Sequence, residues 1–179
     1  YPDDKFNQFK DKLSDFNTLN MVDDLDGELG KIMSICGYAS RLLYVDTDGN
    51  ERMMNVFPWE SVFIENNGVI TNAIRYYPIY DLDQNITTKV EWYDNKNVYF
   101  FTLDDGLIPD PTTPFQEHFF DYVPLILFSN NDEEKGDFEK VESLIDAYDK
   151  INSDSVNEIE QFANAYMKFK GGFVDDDVI

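Results

Sequence analysis

The N-terminal part of the chain carries apolar side chains at helical spacing. One stripe predicts an amphipathic helix over residues 3–16, and its members are Phe6, Phe9, Leu13 and Phe16. A second stripe predicts a helix over about 20–35 that stops at Gly37. The members of this second stripe are Val22, Leu25, Leu29, Ile32 and Met33.

From residue 38 the pattern changes to that of strands. Three pairs of extended runs flank segments with turn chemistry, namely Asp48-Gly49-Asn50, Asn66-Asn67-Gly68 and Asp94-Asn95-Lys96-Asn97. Three successive hairpins predict an antiparallel sheet of about six strands between residues 38 and 103. The alternation of Val90 with Trp92, and of Val98 with Phe100, predicts one buried face and one wetter face.

The region after the predicted sheet is punctuated by proline. Pro109, Pro111 and Pro114 predict a loop over residues 104–118. The apolar run 122–128 contains Pro124, which predicts an edge strand or an extended strap. Residues 131–136 are polar and acidic, and they read as a linker.

The last part of the chain follows one repeat of about 3.5 residues, which predicts a long helix over 137–170. Asp137 can cap its start, and Gly171-Gly172 can end it ahead of an acidic tail over 171–179. An unbroken helix would be roughly 50 Å long and would project to contact other copies. The alternative is two shorter helices, broken at Asn152-Ser153 and folded back on the sheet. The candidate subunit contacts are Phe138, Val141, Ile145, Tyr148, Ile159, Phe162, Tyr166 and Phe169.

Together these segments predict an α+β fold: N-terminal helices, an antiparallel sheet and a long protruding C-terminal helix. The 179 residues suit one domain, or one domain with an appendage, and 42% hydrophobic residues are enough for a core. Fourteen basic against 36 acidic residues give a net charge of −22, which should repel nucleic acid and anionic membranes. No apolar run approaches the roughly 18 residues that a membrane span needs.

The residue types that carry chemistry are scarce. Cys36 is the only cysteine, so an internal disulfide framework and a cysteine zinc cluster are excluded, and its apolar neighbours indicate a buried, inert thiol. His118 is the only histidine, and no nucleophile or carboxylate near it in sequence indicates a catalytic role. The segment Asp46-Thr47-Asp48-Gly49 fails the calcium-loop pattern. We therefore expect no catalytic, cofactor or metal site, in a piece of a longer intracellular protein.

Several motifs in order resemble the portal proteins of tailed bacteriophages, and most closely the branch from long-tailed phages of Gram-positive bacteria. Each motif is short, but their number, order and spacing cover nearly the whole chain. They are Ile35-Cys36-Gly37-Tyr38, Leu43-Tyr44-Val45-Asp46, Phe57-Pro58-Trp59-Glu60, Val62-Phe63-Ile64, Ala73-Ile74-Arg75-Tyr76-Tyr77, Val123-Pro124-Leu125-Ile126 and Leu144-Ile145-Asp146-Ala147-Tyr148-Asp149.

The resemblance implies a non-enzymatic subunit of a homo-oligomeric ring, about twelve copies in the virion, at one capsid vertex. DNA would pass through the tunnel without tight binding, and ATP hydrolysis would belong to a separate terminase motor. Scaffold, capsid and head-completion proteins are further implied partners, and assembly would occur in the host cytoplasm. On this mapping, 1–130 is the wing-like body, 131–136 a linker and 137–170 the first stem helix. The tail 171–179 would lead to a clip outside the chain.

Two functions of other classes stay open at this point. The first is an acidic carbohydrate-active enzyme with two carboxylates about 5–10 Å apart, set in a deep pocket beside Trp92 and nearby tyrosines. The second is an adaptor that binds a partner through the long C-terminal helix.

Overall fold

The computed structural model describes residues 4–163, and its chain begins with two helices. Helix α1 spans Asp4–Asn20 and helix α2 spans Val22–Cys36. Met21 separates them because its backbone is left-handed, with φ of 48°, a conformation that ends a run of helical residues. Both predicted helices are present, and α1 extends beyond the predicted residue 16.

Nine strands follow. The three predicted hairpins are confirmed, with turns at the predicted segments. The predicted loop over 104–118 is wrong in part, because it contains two short strands that pair with the sixth strand. The strands are β1 Tyr38–Val45, β2 Glu51–Val56, β3 Ser61–Asn66, β4 Val69–Tyr80, β5 Ile86–Tyr93, β6 Asn97–Leu103, β7 Leu107–Pro109, β8 Phe115–Glu117 and β9 Leu125–Ser129.

The predicted α+β fold with an antiparallel sheet of about six strands is confirmed, although the first predicted hairpin lies in a second antiparallel sheet of three strands. The small sheet has the order β2-β1-β9, so the predicted edge strand is indeed an edge strand, paired with β1. The large sheet has the order β3-β4-β5-β6-β7, and β8 also pairs with β6. The first hairpin is separated from the other two because β1 finds its second partner far along the chain, in β9.

The main core lies between one face of the large sheet and the small sheet. Its buried members are Leu42, Val56, Ala73, Tyr93, Val98 and Leu125. We call this face of the large sheet the inner face, and the opposite one the outer face. Val90 and Trp92 lie on the outer face, since Trp92 pairs with Tyr99 while Val98 pairs with Tyr93. The two alternating patterns were expected to mark one buried face and one wetter face of the sheet. They instead lie on opposite faces, because Val90 and Trp92 are on the outer face whereas Val98 and Phe100 are on the inner face.

Helices α1 and α2 pack on β1 and β2 through a few buried polar side chains. Asn20 is 4% exposed. Its Nδ2 donates to the Glu51 carbonyl at 3.2 Å and its Oδ1 accepts from the Met53 N–H at 3.0 Å. The Arg41 Nη1 donates to Asp26 Oδ1 at 2.7 Å. Leu29, Ile32 and Ala39 form an apolar cluster at the same junction.

Residues 130–137 lie against the C-terminal end of α2. The Asp137 N–H donates to the Ser34 carbonyl at 2.8 Å, and the Asn130 N–H donates to the Gly37 carbonyl at 2.8 Å. Gly37 has a φ of 86° and leaves no room for a Cβ, because that atom would collide with the Glu134 carbonyl. The segment predicted as a linker is thus held by hydrogen bonds to the body.

Helix α3 spans Glu142–Phe162, and the chain divides into two compact units between Asp137 and Phe138. The helix begins later than predicted, because Asp137 does not cap it. The Asp137 carboxylate instead accepts a hydrogen bond from Asn130 Nδ2 at 2.8 Å, and residues 138–141 form a turn. The helix continues through Asn152-Ser153, so the alternative with a break there is wrong. The predicted end at Gly171-Gly172 lies outside the described residues.

Candidate assembly surfaces

The candidate contact residues of the C-terminal segment that the structure describes are all exposed. Their exposed fractions range from 41% for Val141 to 68% for Ile159. Four of them lie on α3 at spacings of three, eleven and three residues, which places them on one side of the helix: Ile145, Tyr148, Ile159 and Phe162. Phe138 and Val141 lie in the preceding turn, and Tyr166 and Phe169 lie outside the described residues.

The apolar side of α3 is broader than the 3.5-residue repeat suggested. Leu144, Ile151 and Val156 are also exposed, and they fall on or beside the same side of the helix. Val156 is not among the candidates because it departs from the strict 3.5-residue repeat, and a period of 3.6 residues would have included it. The other side is strongly acidic, since α3 has six acidic residues against Lys150. Helix α3 is therefore amphipathic, with an apolar side and an anionic side.

A buried ionic cluster lies on the inner face of the large sheet. Glu91 accepts hydrogen bonds from Tyr93 Oη at 2.7 Å, Tyr77 Oη at 2.9 Å and Arg75 Nη1 at 3.2 Å. Burial and the neighbouring Glu91 carboxylate raise the pKa of Tyr77 to about 12, and the same causes raise the pKa of Tyr93. Sequence reasoning missed this cluster, because Arg75 and Glu91 become neighbours only through the β4–β5 register.

A cavity of about 560 Å³ lies between β1 and the inner face of the large sheet, and Glu91 and His118 are among its lining residues. Glu91 already accepts three of the roughly four hydrogen bonds that a carboxylate can accept, so most of its capacity is used within the cluster. Trp92 lies on the outer face, away from this cavity. The carbohydrate-enzyme hypothesis required paired carboxylates in a pocket beside Trp92, and Trp92 does not line this cavity.

His118 has a structural role in the described part of the chain. It is 8% exposed, its Nδ1 accepts from the Phe120 N–H at 3.2 Å, and its Nε2 lies 3.0 Å from the Asp94 carbonyl oxygen. Because Nδ1 accepts, the proton resides on Nε2 and is donated to Asp94. Cys36 is half-buried and packs beside the Leu29–Ile32–Ala39 cluster, so it is less buried than predicted.

The aspartates that resembled a calcium loop instead hold a turn. Asp46 Oδ1 accepts from the Asn50 N–H at 2.8 Å and the Asp48 N–H at 3.0 Å, and these bonds, the Asn50 one above all, lower the pKa of Asp46. Asp81 holds the β4–β5 turn in the same way through Asn85 and Asp83. Within residues 4–163, no group of three or more His, Cys, Asp or Glu side chains is arranged to hold a metal ion.

Among the helices in the described range, none combines the length and the apolar character required to cross a bilayer.

Comparison with known proteins decides between the remaining hypotheses. The family model described as "Phage portal protein, SPP1 Gp6-like" matches residues 2–179. The chain belongs to this portal protein family. The portal protein of Bacillus phage SPP1 is 29% identical to it over 156 residues, which is 78% of this chain and 31% of the relative. This chain therefore spans about a third of the length of that curated portal protein.

The portal resemblance inferred from the motifs is confirmed, and the structure shows where those motifs lie. The Gly37 motif forms the junction of α2 with β1. The Pro58-Trp59-Glu60 motif forms a single 3-10 turn between the two sheets. The motif from Leu144 to Asp149 forms the first part of α3. The remaining motifs lie mainly in strands β1, β3, β4 and β9, so the portal signature is distributed over the body and the first part of α3.

Proposed function

We propose that this chain is the wing-like body and first stem helix of a phage portal subunit. Such subunits would form the ring at one capsid vertex through which DNA is packaged and ejected. The observation that carries this proposal is the match of the portal family to residues 2–179. The scarcity of groups for acid, base or nucleophilic chemistry supports a structural, non-enzymatic role for the chain.

On this proposal, 1–130 is the wing-like body, 131–136 connects it to the stem helix over 137–170, and 171–179 leads toward the clip. The connection is consistent with the hydrogen bonds of residues 130–137 to α2, which would fix where the stem begins. The ring would have about twelve copies and would meet the terminase motor, scaffold, capsid and head-completion proteins. Its location would be the virion vertex, after assembly in the host cytoplasm.

The stem helices would stand beside each other and bury their apolar sides against neighbouring copies. This accounts for the exposed stripe of α3, since a large exposed apolar patch marks an interaction site. The acidic side of α3 would then be free to face the tunnel. Anionic walls let DNA pass because they offer the phosphates no tight contact.

The test is the assembly of the full-length polypeptide that contains these residues. Ile145→Asp and Ile159→Asp each place a charge on the apolar side of α3, and Ser153→Asp places the same charge on its polar side. We expect the parent and Ser153→Asp to form rings in electron micrographs, and both isoleucine variants to sediment as smaller species with unchanged circular dichroism.

A parent polypeptide that forms no ring would contradict the portal assignment. Rings formed by both isoleucine variants would instead contradict the contact role of α3 and leave the portal assignment intact.

A further inference from the structure

The outer face of the large sheet is apolar along three neighbouring rows of side chains, and it becomes polar only beyond them, at the pair Asn97 and Glu117. Residues that pair directly across neighbouring strands have their side chains on the same face of the sheet. The strand registers therefore define three successive rows of side chains that cross the outer face. No row contains a charged residue. The first row is Val62, Ile74, Trp92, Tyr99 and Phe115. The second is Tyr76, Val90, Phe101 and Pro109. The third is Pro78, Thr88, Leu103 and Leu107.

The charged residues of the sheet centre lie on the inner face instead. Arg75, Glu91 and Lys89 alternate with the outer rows along β4 and β5. A sheet that faced water on its outer side would have the opposite distribution, with polar side chains outside. The outer face is therefore built to be covered.

Within residues 4–163, α1 and α2 pack on the small sheet rather than on this face. Five members of the three rows are 37–59% exposed, namely Val62, Tyr76, Leu103, Leu107 and Phe115. A contiguous apolar surface across a whole sheet exceeds the scattered apolar residues that are normal on a monomer.

Helix α1 presents a second uncovered apolar surface. The C-terminal end of α1 is fixed to the body, because Asn20 is buried against β2. The apolar side chains nearer the N-terminus, Phe6, Phe9 and Leu13, are 46–63% exposed. The helix has three lysines and three aspartates, and so no net charge. By contrast, α2 has four acidic residues against one lysine, and α3 has six against one.

We infer that α1 of one copy packs on the outer face of the large sheet of the next copy. The inference rests on the proposed portal ring. A closed ring built by rotation needs two different surfaces on each subunit, one to meet each neighbour. In a chain of net charge −22, copies repel each other, so the two surfaces that meet should be those without net charge. The outer face and α1 are the described apolar surfaces that satisfy this condition.

The dimensions of the two surfaces agree. Helix α1 has 17 residues and is about 25 Å long at ~1.5 Å per residue. The first row crosses five strands, which at ~4.8 Å between neighbours is about 19 Å between the outermost strands, and the other two rows cross four. A helix laid on a sheet buries one stripe on one face, which is the usual packing of an α+β layer.

Cross-linking between single-cysteine variants tests this contact. The full-length polypeptide is first made with Cys36→Ser, together with replacement of any other cysteine it contains. Phe9→Cys is then placed in one preparation and Tyr76→Cys in another, and the two are mixed, assembled and treated with a short bis-maleimide. The matched controls are Asn7→Cys on the opposite side of α1 and Thr87→Cys on the inner face of β5. Mixing reveals only contacts between different copies.

We expect a cross-linked dimer in the Phe9→Cys and Tyr76→Cys mixture, and its loss when either partner is replaced by its control. Rings that form without this cross-link would overturn the inference while the portal assignment stands, since another part of the polypeptide would then cover the sheet. A cross-link from Tyr76→Cys to Tyr148→Cys on α3, and none to Phe9→Cys, would also overturn it. Absence of both rings and cross-links would contradict the portal assignment together with the inference.

Discussion

At the scale of single residues, Glu91 organises the inner face of the large sheet. A buried carboxylate is stable only when its lost hydration is replaced, and Tyr77, Tyr93 and Arg75 replace it with three hydrogen bonds. The Arg75 guanidinium also lies 4.2 Å from the centre of the Tyr77 ring. The cluster is satisfied around Glu91, although Arg75 Nε is buried without a hydrogen-bond partner.

We expect Glu91→Leu to lower the free energy of unfolding by about 3–5 kcal/mol, because it leaves the Arg75 charge buried and uncompensated. The double variant Arg75→Met, Glu91→Leu should cost less than the single change, since it removes both charges. Urea unfolding measures each value, with the exposed Glu65→Leu as control. A single variant that loses less than about 1 kcal/mol would show that the cluster does not stabilise the fold.

Replacing Gly37 or Gly27 by alanine should change the free energy of unfolding in opposite directions. Gly37→Ala should destabilise by more than the roughly 1–2 kcal/mol of left-handed strain, because its Cβ would also collide with the Glu134 carbonyl. Gly27 lies within α2 with open space around it, so Gly27→Ala should stabilise by about 0.8–1 kcal/mol. Thermal unfolding distinguishes the two, and equal effects would contradict the docking of residue 134 on Gly37.

At the scale of elements, the turns of the body are held by aspartate carboxylates. Asp46, Asp81 and Asp110 each accept hydrogen bonds from backbone N–H groups within the next four residues. These bonds lower the pKa of Asp46 and Asp110, and at Asp81 the hydrogen bond from the Asn85 side-chain amide, followed by that from the Asn85 N–H, lowers the pKa. Partial burial opposes the same effect at Asp94, but the N–H groups of Asn97 and Lys96 prevail and its pKa is also lowered. The negative charge of these aspartates therefore helps to hold the turns, in addition to the backbone geometry of the turn residues.

The lowered pKa values predict acid sensitivity. The carboxyl groups of these aspartates bind protons more weakly in the folded chain than in the unfolded chain. Their contribution to the free energy of unfolding is therefore complete above the ordinary carboxyl pKa of about 4. It is lost as the pH falls through the lower pKa values of the folded chain. Urea midpoints at pH 7 and pH 3 should show this loss. The double variant Asp46→Asn, Asp81→Asn keeps acceptors in both turns without titrating, so it should lose less on acidification. An equal loss would contradict the role of these two turns.

At the scale of the whole molecule, negative charge and exposed apolar surface act against each other. The net charge of −22 opposes association, whereas the apolar side of α3, the exposed part of α1 and the outer face of the large sheet favour it. Assembly of this portal family member should therefore strengthen as salt screens the charge.

The same charge predicts that the chain does not bind duplex DNA at physiological salt. Phosphate contacts need Lys and Arg, and only 14 of the 179 residues are of these types, against 36 acidic ones. An electrophoretic mobility shift at ~150 mM salt should show no complex. An affinity on the order of micromolar under these conditions would contradict the interpretation that the acidic surface lets DNA slide.

The sequence alone determined the features that depend on near neighbours. Gly49 and Gly68 have positive φ in the turns where the sequence placed them, because such turns need residues that tolerate this conformation. The helices of the body followed from their 3.6-residue stripes, and the excess of acidic residues followed from composition. These are local or additive properties, so no tertiary contact is needed to predict them.

Only the tertiary structure decided which surfaces are inside. Along β5 the alternation places Val90 and Trp92 on one face and Lys89 and Glu91 on the other, so the local pattern by itself favours burial of the face that the second layer does not cover. The pairing of β1 with β9 places the small sheet on the inner face and leaves Trp92 and Tyr76 on the outer one. Asp137 accepts a hydrogen bond from Asn130 instead of capping α3 for a similar reason, because the backbone N–H groups of both residues are bonded to the distant end of α2.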